Sequence, residues 1–374
     1  MNLKSIRMKI VVAGTRGIPD IQGGVETHCQ NLYPRLAAMG HDITLIRRTP
    51  YVAPDNRLDS YGGVKLMDVY APRRKSLEAI VHTALAVVKA KKLKADVVHI
   101  HAIGPALMVP LAKLLGLRVV VTHHGADYER QKWGRMAKFM LRTGERMAAR
   151  FADSIISISQ YISDSLARKY GRADAALIYN GVNPPVAATT TDYIRSLGLE
   201  KGRYVVALGR FVPEKGFHDL IEAFRDMPGG YKLVIAGDAD HPSDYSTELK
   251  AQARRAGTVL PGFIYGAELN ELMSHAALFC MPSYHEGLPI ALLEAMSYGL
   301  DVVVSDIPAC RIPELTPADY FPAGDKAAIA DALRRKLGEG HGRRTYDLTS
   351  YNWDSIARQT EAVYISLLAG SRQM

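Results

Sequence analysis

Short runs of β-branched and aliphatic residues alternate along this chain with stretches whose apolar positions recur at helical spacing. In the first half KIVVAG (9–14), HDITLIRR (41–48), ADVVHIHA (95–102), RVVVTHHG (118–125), FADSIISIS (151–159) and AALIYNG (175–181) read as strands. VETHCQNLYPRLAAMG (25–40), PALMVPLAKLLG (105–116) and YISDSLARKYG (161–171) read as the helices between them. At 182–200 the pattern lapses into VNPPVAATTTDYIRSLGLE, whose Pro and Thr content predicts a linker. The cycle then restarts with strands at RYVVALGR (203–210), YKLVIAGD (231–238), ALFCMPS (277–283) and DVVVSD (301–306). Helices are expected at 215–228, 244–256, 267–275, 289–299 and 327–338, with the apolar stretch TVLPGF at 258–263. A closing helix at 353–370 sets Trp353, Ile356, Ala357, Thr360, Val363, Tyr364 and Leu367 on one face.

Strand–helix–strand repetition predicts parallel, doubly wound sheets, here two in series: an α/β chain of two Rossmann-like domains. The expected boundaries are 1–183, 184–351 and a terminal helical segment at 352–374. Ligands of such sheets bind beyond the carboxyl ends of the strands, so two domains facing across a cleft would take two ligands from opposite walls.

Composition narrows the class. Of the 374 residues 48% are hydrophobic and 23% charged, as in an ordinary globular protein with a sizeable core. Cys29, Cys280 and Cys310 are too few and too far apart for a disulfide framework or a zinc motif, which suits a reducing cytoplasm. The apolar run near the N-terminus is too short for a signal peptide, and no run of about 20 apolar residues would span a bilayer.

The net charge of +9 is unevenly distributed. Residues 1–185 hold 28 Lys and Arg against 14 Asp and Glu, and the remainder is net acidic. A basic first half suits an anionic membrane, an anionic substrate or nucleic acid. The basic stretches are APRRKS (71–76), KAKKLK (89–94) and ERQKWGRMAKFMLRTGERMAAR (129–150). In the last, Trp133, Met136, Met140 and Leu141 interleave with Lys132, Arg135, Lys138 and Arg142. Two readings stand: a helix lying on an anionic membrane, or a surface helix packing its apolar side inward.

Three motifs carry candidate chemistry. In HEGLPIALLEAMSYG (285–299), Pro289 suits the first turn of a helix and Gly299 its end. Glu294 interrupts an apolar helical run, where a carboxylate is costly unless paired or hydrogen-bonded. It is either an internal salt bridge or cap, or an acceptor for two ribose hydroxyls, with Glu286 accepting hydroxyls of a second sugar. Amides around the helix start, at Gly287, Leu288 and Ile290 beside Pro289, would meet a phosphate. In LGRFVPEKGF (208–217), Arg210 and Lys215 are two cations at a strand's carboxyl end, suited to a diphosphate. In GTRGIPDIQGGVETH (14–28), the glycines miss the dinucleotide-fold spacing, yet Gly23 and Gly24 would let backbone approach a ligand.

G-G-V-E at 23–26, N-G-V at 180–182, Arg210 and Lys215 as G-R-x4-K, and Glu286 and Glu294 as E-x7-E, in this order, resemble the retaining glycosyltransferases of family 4. The likeness covers nearly the whole chain, and NWDSIARQTEAVY resembles the family's final helix, which crosses back to the N-terminal domain. It implies GT-B architecture with an acceptor-side first domain and a nucleotide-sugar-binding second domain. Arg210 and Lys215 would neutralise the departing diphosphate, Glu294 would hold ribose, and Glu286 the transferred sugar. Gly23 and Gly24 would lie near the donor, and His124 would face the donor sugar, with His123 its competitor for that position. The implied partners are a nucleotide-diphosphate sugar, UDP-linked by default, and a glycan or lipid-linked glycan acceptor. The same habit favours peripheral contact with the inner face of the cell membrane.

No cofactor is expected. His99 and His101 share a strand face and His123 and His124 end another, but no third ligand stands at supporting spacing, so no metal is expected. A sugar-nucleotide epimerase of like fold is the nearest rival. A nucleic-acid-binding protein lacks a module signature, and an NAD-dependent oxidoreductase lacks its glycine fingerprint.

Overall fold

The computed structural model describes residues 7–53, 56–73, 77–129, 134–239, 242–338 and 342–370. The chain forms two compact units: Met1–Gly181 with Tyr351–Met374, and Val182–Ser350.

The first unit runs β1 (Lys9–Ala13), α1 (Gly24–Ala38), β2 (Asp42–Arg48), β3 (Ser60–Tyr61), β4 (Val64–Val69), α2 (Glu78–Lys92) and β5 (Val97–His101). It continues through α3 (Val109–Leu114), β6 (Val119–His123), α4 (Arg135–Phe151), β7 (Ser154–Ser157), α5 (Gln160–Tyr170) and β8 (Ala176–Leu177). The second unit holds α6 (Asp192–Ser196), β9 (Tyr204–Leu208), α7 (Phe217–Phe224), β10 (Lys232–Ala236), α8 (Asp244–Arg255) and α9 (Gly266–His275). After these come β11 (Leu278–Met281), α10 (Ile290–Ser297), β12 (Asp301–Ser305), β13 (Tyr320–Phe321) and α11 (Lys326–Gly338). The closing helix α12 (Trp353–Gly370) belongs to the first unit.

The first sheet has the order β3-β4-β2-β1-β5-β6-β7-β8, parallel throughout except where β3 runs antiparallel to β4. The second, all parallel, has the order β10-β9-β11-β12-β13. Both are doubly wound, as the alternating pattern predicts. The order reverses between β1 and β5 in the first sheet and between β9 and β11 in the second, and crevices at such reversals are where open α/β sheets take ligands.

The central strands are buried on both faces, which is why they read as continuous apolar runs rather than alternating ones. On α12, Trp353, Ile356, Ala357, Thr360 and Tyr364 are buried as their helical spacing requires, with Val363 and Leu367 at the margin. They pack with Leu32, Tyr33 and Leu36 of α1. Each large apolar side chain so buried contributes about 1.5–3 kcal/mol. A Cβ on Gly181 would stand 2.4 Å from the Trp353 ring, so only glycine lets the chain leave the first unit along this path.

Several boundaries differ from the sequence reading. The expected helix at 105–116 is a 3-10 turn over Pro105–Met108 followed by α3, because Pro110 removes a donor at the helix start. Pro289 caps α10 instead of opening its first turn. The 258–263 stretch forms only one bridge, Val259 to Val234. The hairpin-like β3–β4 pair and α2 have no counterpart in the sequence reading. Among the described residues no helix is long and apolar enough to cross a membrane.

Candidate active site

Residues of the second unit gather at its reversal point. β9 ends at Leu208, and the chain turns through Gly209 and Arg210 into a 3-10 turn over Pro213–Lys215. Gly216 follows with φ +65°, and a Cβ there would meet the Pro282 carbonyl at 2.1 Å. That close approach seats the Lys215 turn against the loop leaving β11. Glu286 lies in this second loop, and Lys215 Nζ donates to Glu286 Oε1 at 2.7 Å. Both side chains are largely buried, so the pair is strengthened by its low-dielectric surroundings. The structure thus joins two of the expected residues, 71 positions apart, at the carboxyl ends of neighbouring strands.

Arg210 is half-buried in the same loop as Lys215. Gly287, Leu288 and Pro289 lead from Glu286 into α10, which begins at Ile290. The positive end of that helix dipole therefore lies beside the Lys215 cation, where an anion would be doubly favoured. Glu294 sits half-buried on the next turn. Burial pushes its carboxyl up to about 7, and among the described residues neither an ion pair nor a hydrogen bond offsets it. Among the described residues no cation pairs with it, so the salt-bridge half of the salt-bridge-or-cap reading is not formed.

Sequence reasoning missed a neighbour of this group. Cys310, in a 3-10 turn after β12, lies close enough to feel both Glu286 and Lys215. Burial pushes its thiol well above the ordinary range, so it stays a neutral apolar wall. Nothing in the spacing of three scattered cysteines signals this.

At the first unit's reversal point, the glycine-rich loop is braced from within. Buried Glu26 of α1 accepts from Thr15 Oγ1 at 3.2 Å and from the Arg16 amide at 3.0 Å, and pairs with the Arg16 guanidinium at 3.0 Å. Burial alone would raise the Glu26 carboxyl, but Arg16 and then Arg48 outweigh it and hold it down at about 2. Gly23 has φ +150°, and a Cβ would fall 2.2 Å from Glu26 Oε2 and 2.3 Å from the Arg16 guanidinium. Gly23 is therefore required by the loop's own packing, whereas a Cβ on Gly24 would meet nothing within 4 Å. The G-G-V-E motif gives Glu26 no local sign of this role, because its partners Thr15 and Arg16 lie eleven and ten positions back.

The structure separates the two histidines after β6. His123 Nε2 lies 2.9 Å from Glu145 Oε1, and its Nδ1 accepts from the Gly125 amide at 3.2 Å. Both His123 nitrogens are thus engaged inside the unit. His124 turns instead toward His101, with His124 Nε2 and His101 Nδ1 2.9 Å apart. His99 and His101 stack with centroids 4.4 Å apart, and Tyr33 reaches both rings. His28 of α1, which stands at no supporting spacing in the sequence, comes within the same cluster in space.

On α4, Arg135, Met136, Phe139, Arg142, Arg146 and Arg150 form the exposed face, while Gly144, Glu145 and Ala148 face inward. Met136 and Phe139 are 73% and 65% exposed, so two apolar side chains stand in a basic stripe. Met140 and Leu141 turn partly inward. Trp133 and Lys132 lie outside the described residues, as do Arg74, Lys75 and Ser76 of the 71–76 stretch.

Comparison with known proteins bears on the family and the fold. Residues 22–185 match the family model described as Glycosyltransferase Family 4, and residues 190–343 match that for Glycosyl transferases group 1. Together the two span most of the chain. A glycogen synthase of Mycobacterium tuberculosis is 26% identical over 410 residues, covering 98% of this chain and 96% of that protein. Among solved structures, sucrose-phosphate synthase from Thermosynechococcus elongatus superposes with a TM-score of 0.79 at 22% identity, over 97% of this chain and 100% of that one. Anabaena HepE in complex with UDP-glucose gives 0.73 at 20% identity, over 98% and 100% of the respective chains. The fold, two Rossmann-like units, is that of the GT-B glycosyltransferases.

Proposed function

For a chain that belongs to the glycosyltransferases built from a family 4 half and a group 1 half, we propose that it moves a sugar from a nucleotide-diphosphate sugar to an acceptor hydroxyl with retention at the anomeric carbon. The observation that carries this reading is the Lys215–Glu286 pair at the β9/β11 reversal, beside Arg210 and the N-terminus of α10. A diphosphate entering there meets two cations and a helix dipole without needing a divalent ion. Lys215 would exchange its contact with Glu286 for a phosphate oxygen, freeing Glu286 to accept hydroxyls of the transferred sugar. Charge developing on the leaving diphosphate is then met by groups already in place, and this preorganisation lowers the barrier. Glu294 takes the ribose hydroxyls, which supply the hydrogen bonds its carboxylate lacks. Gly24 and His124 keep their expected roles toward the donor sugar in this proposal; Gly23 shapes the loop.

UDP is the default nucleotide, supported by a UDP-glucose complex in a structural neighbour of the same fold. The acceptor is a growing glycan, lipid-linked or polysaccharide, as in surface-polysaccharide assembly, and the basic, apolar-tipped face of α4 would rest on an anionic membrane surface. The test is a thermal-shift panel of nucleotide diphosphates. The best binder's sugar derivatives are then incubated with chelator present and the product's anomeric configuration is read by NMR. A rise in melting temperature with one diphosphate, then a retained linkage formed in chelator, is expected. Epimerised or free sugar formed equally without acceptor would overturn transfer, and activity restored only by a divalent ion would overturn metal independence.

A further inference from the structure

The imidazole cluster of the first unit serves no purpose in the reading above beyond His124. His28, His101 and His124 each offer one ring nitrogen within 4.8 Å of the other two. They come from three elements: α1, the end of β5 and the loop after β6. His28 Nδ1 lies 2.9 Å from Asn180 Oδ1, so it carries the proton that it donates there. Its Nε2 is therefore a lone pair, and among the described residues no hydrogen-bond partner reaches this buried atom. A buried acceptor left unsatisfied costs about 1–3 kcal/mol. It is uncommon enough in a native interior to need an explanation.

We propose that His28, His101 and His124 bind one borderline-soft divalent transition-metal ion of the zinc class, with a fourth position open. Three neutral imidazoles with a free fourth position are a recurrent zinc set, and an N–H to carbonyl contact on the distal nitrogen, as between His28 and Asn180, is the usual device for aiming a ligand. Tetrahedral bonds of roughly 2.0–2.1 Å place ligand nitrogens about 3.3–3.4 Å apart, so the cluster closes on an ion by side-chain adjustments of about an ångström. The ion replaces the single proton now shared between His101 and His124 at 2.9 Å. That proton moves to the outer nitrogen of whichever ring holds it, either His124 Nδ1 or His101 Nε2, the latter facing Tyr33 Oη. No proton need be lost. The ion takes no part in neutralising a diphosphate; its site shares only His124 with the transfer reading, and metal binding is read without donor or acceptor present.

The experiment titrates the full, metal-free chain with Co2+ and displaces it with Zn2+. One Co2+ per chain with the intense visible absorption of tetrahedral geometry, lost on adding one equivalent of Zn2+, is expected. His28→Gln and, separately, His124→Gln should each weaken Zn2+ binding by at least about 100-fold while circular dichroism stays native, and His218→Gln in the second unit should change nothing. His124 is half-buried, so that variant keeps the test open if His28→Gln fails to fold. A weak octahedral Co2+ spectrum, or unchanged Zn2+ affinity in a folded His28→Gln or His124→Gln protein, overturns the site.

Discussion

Lowering the pH should weaken donor binding through one residue, Glu294. Its carboxyl sits near 7 in the ligand-free chain, against an ordinary 4.5, because burial disfavours the charged form. Two ribose hydroxyls donating to it favour the charged form, so binding releases a proton wherever the free carboxyl is protonated. If the bound carboxyl returns to the ordinary range, affinity falls about tenfold per pH unit between 7 and 4.5 and is level above 7. A nucleotide-diphosphate sugar, whose diphosphate diester does not titrate in this window, should therefore bind roughly 50–100-fold more weakly at about pH 5 than at about pH 8. Isothermal titration in two buffers of different ionisation enthalpy would read both the affinity and a release of most of one proton near pH 6. Stability moves oppositely. The raised carboxyl leaves the ligand-free chain most stable below 4.5, less so as pH climbs to 7, and level beyond. Glu294→Gln should accordingly stabilise the ligand-free chain at about pH 8 by up to about 3.4 kcal/mol, since a rise from 4.5 to about 7 is worth about 1.4 kcal/mol per unit. The same variant should bind donor weakly at every pH. A donor affinity independent of pH, or the same pH dependence in Glu294→Gln, would refute the ribose role.

Lys215→Ala should cut turnover more than tenfold with a native circular dichroism spectrum, because the lost cation faces the leaving diphosphate; near-normal rates would remove Lys215 from the mechanism. Gly23→Ala should cost stability by about 1–3 kcal/mol in denaturant titration, given its φ of +150° and the Glu26 and Arg16 atoms in the way. Gly24→Val should leave stability nearly unchanged and slow donor turnover, and the opposite ranking would count against both assignments. Glu26→Gln should destabilise by about 3 kcal/mol at neutral pH, as expected for opening a buried pair. In the parent chain that Glu26 contribution should be complete above 4.5 and drain away as pH falls through about 2. Vesicle sedimentation should show preference for anionic over neutral lipid, reduced by Met136→Ser with Phe139→Ser; equal binding to both lipids would refute a charge-driven contact.

The alternation of apolar runs was enough for the central strands of both sheets, because these are buried on two faces and carry an unbroken β-branched signature; the two-residue strands β3 and β13 were too short to show it. It failed for β4, VKLMDV, whose Lys65 and Asp68 are exposed and whose Leu66 and Met67 are only partly covered, so no run stands out. The residues of the 285–299 and 208–217 motifs were legible because strand ends and helix starts put chemistry at fixed local offsets. Pairings across long separations were not. Nothing local in His28 announces His101, 73 positions on, and the Lys215–Glu286 contact depends on β9 and β11 becoming neighbours. Glu26 was hidden for a related reason: its partners lie on the far side of a loop whose course no periodicity describes.

The placement of α12 bears on how the chain is born. Tyr364 reaches His99 across the first unit, and α12 covers α1, yet about 170 residues of the second unit are translated between β8 and that helix. At 5–20 residues per second this is a wait of roughly 10–30 s. During that interval α1 has its apolar flank bare, while the second unit, continuous in sequence, emerges with all its elements in hand. The nascent first unit is thus the part that needs protection, and a ribosome stalled before residue 353 would display a complete second unit on an unfinished first.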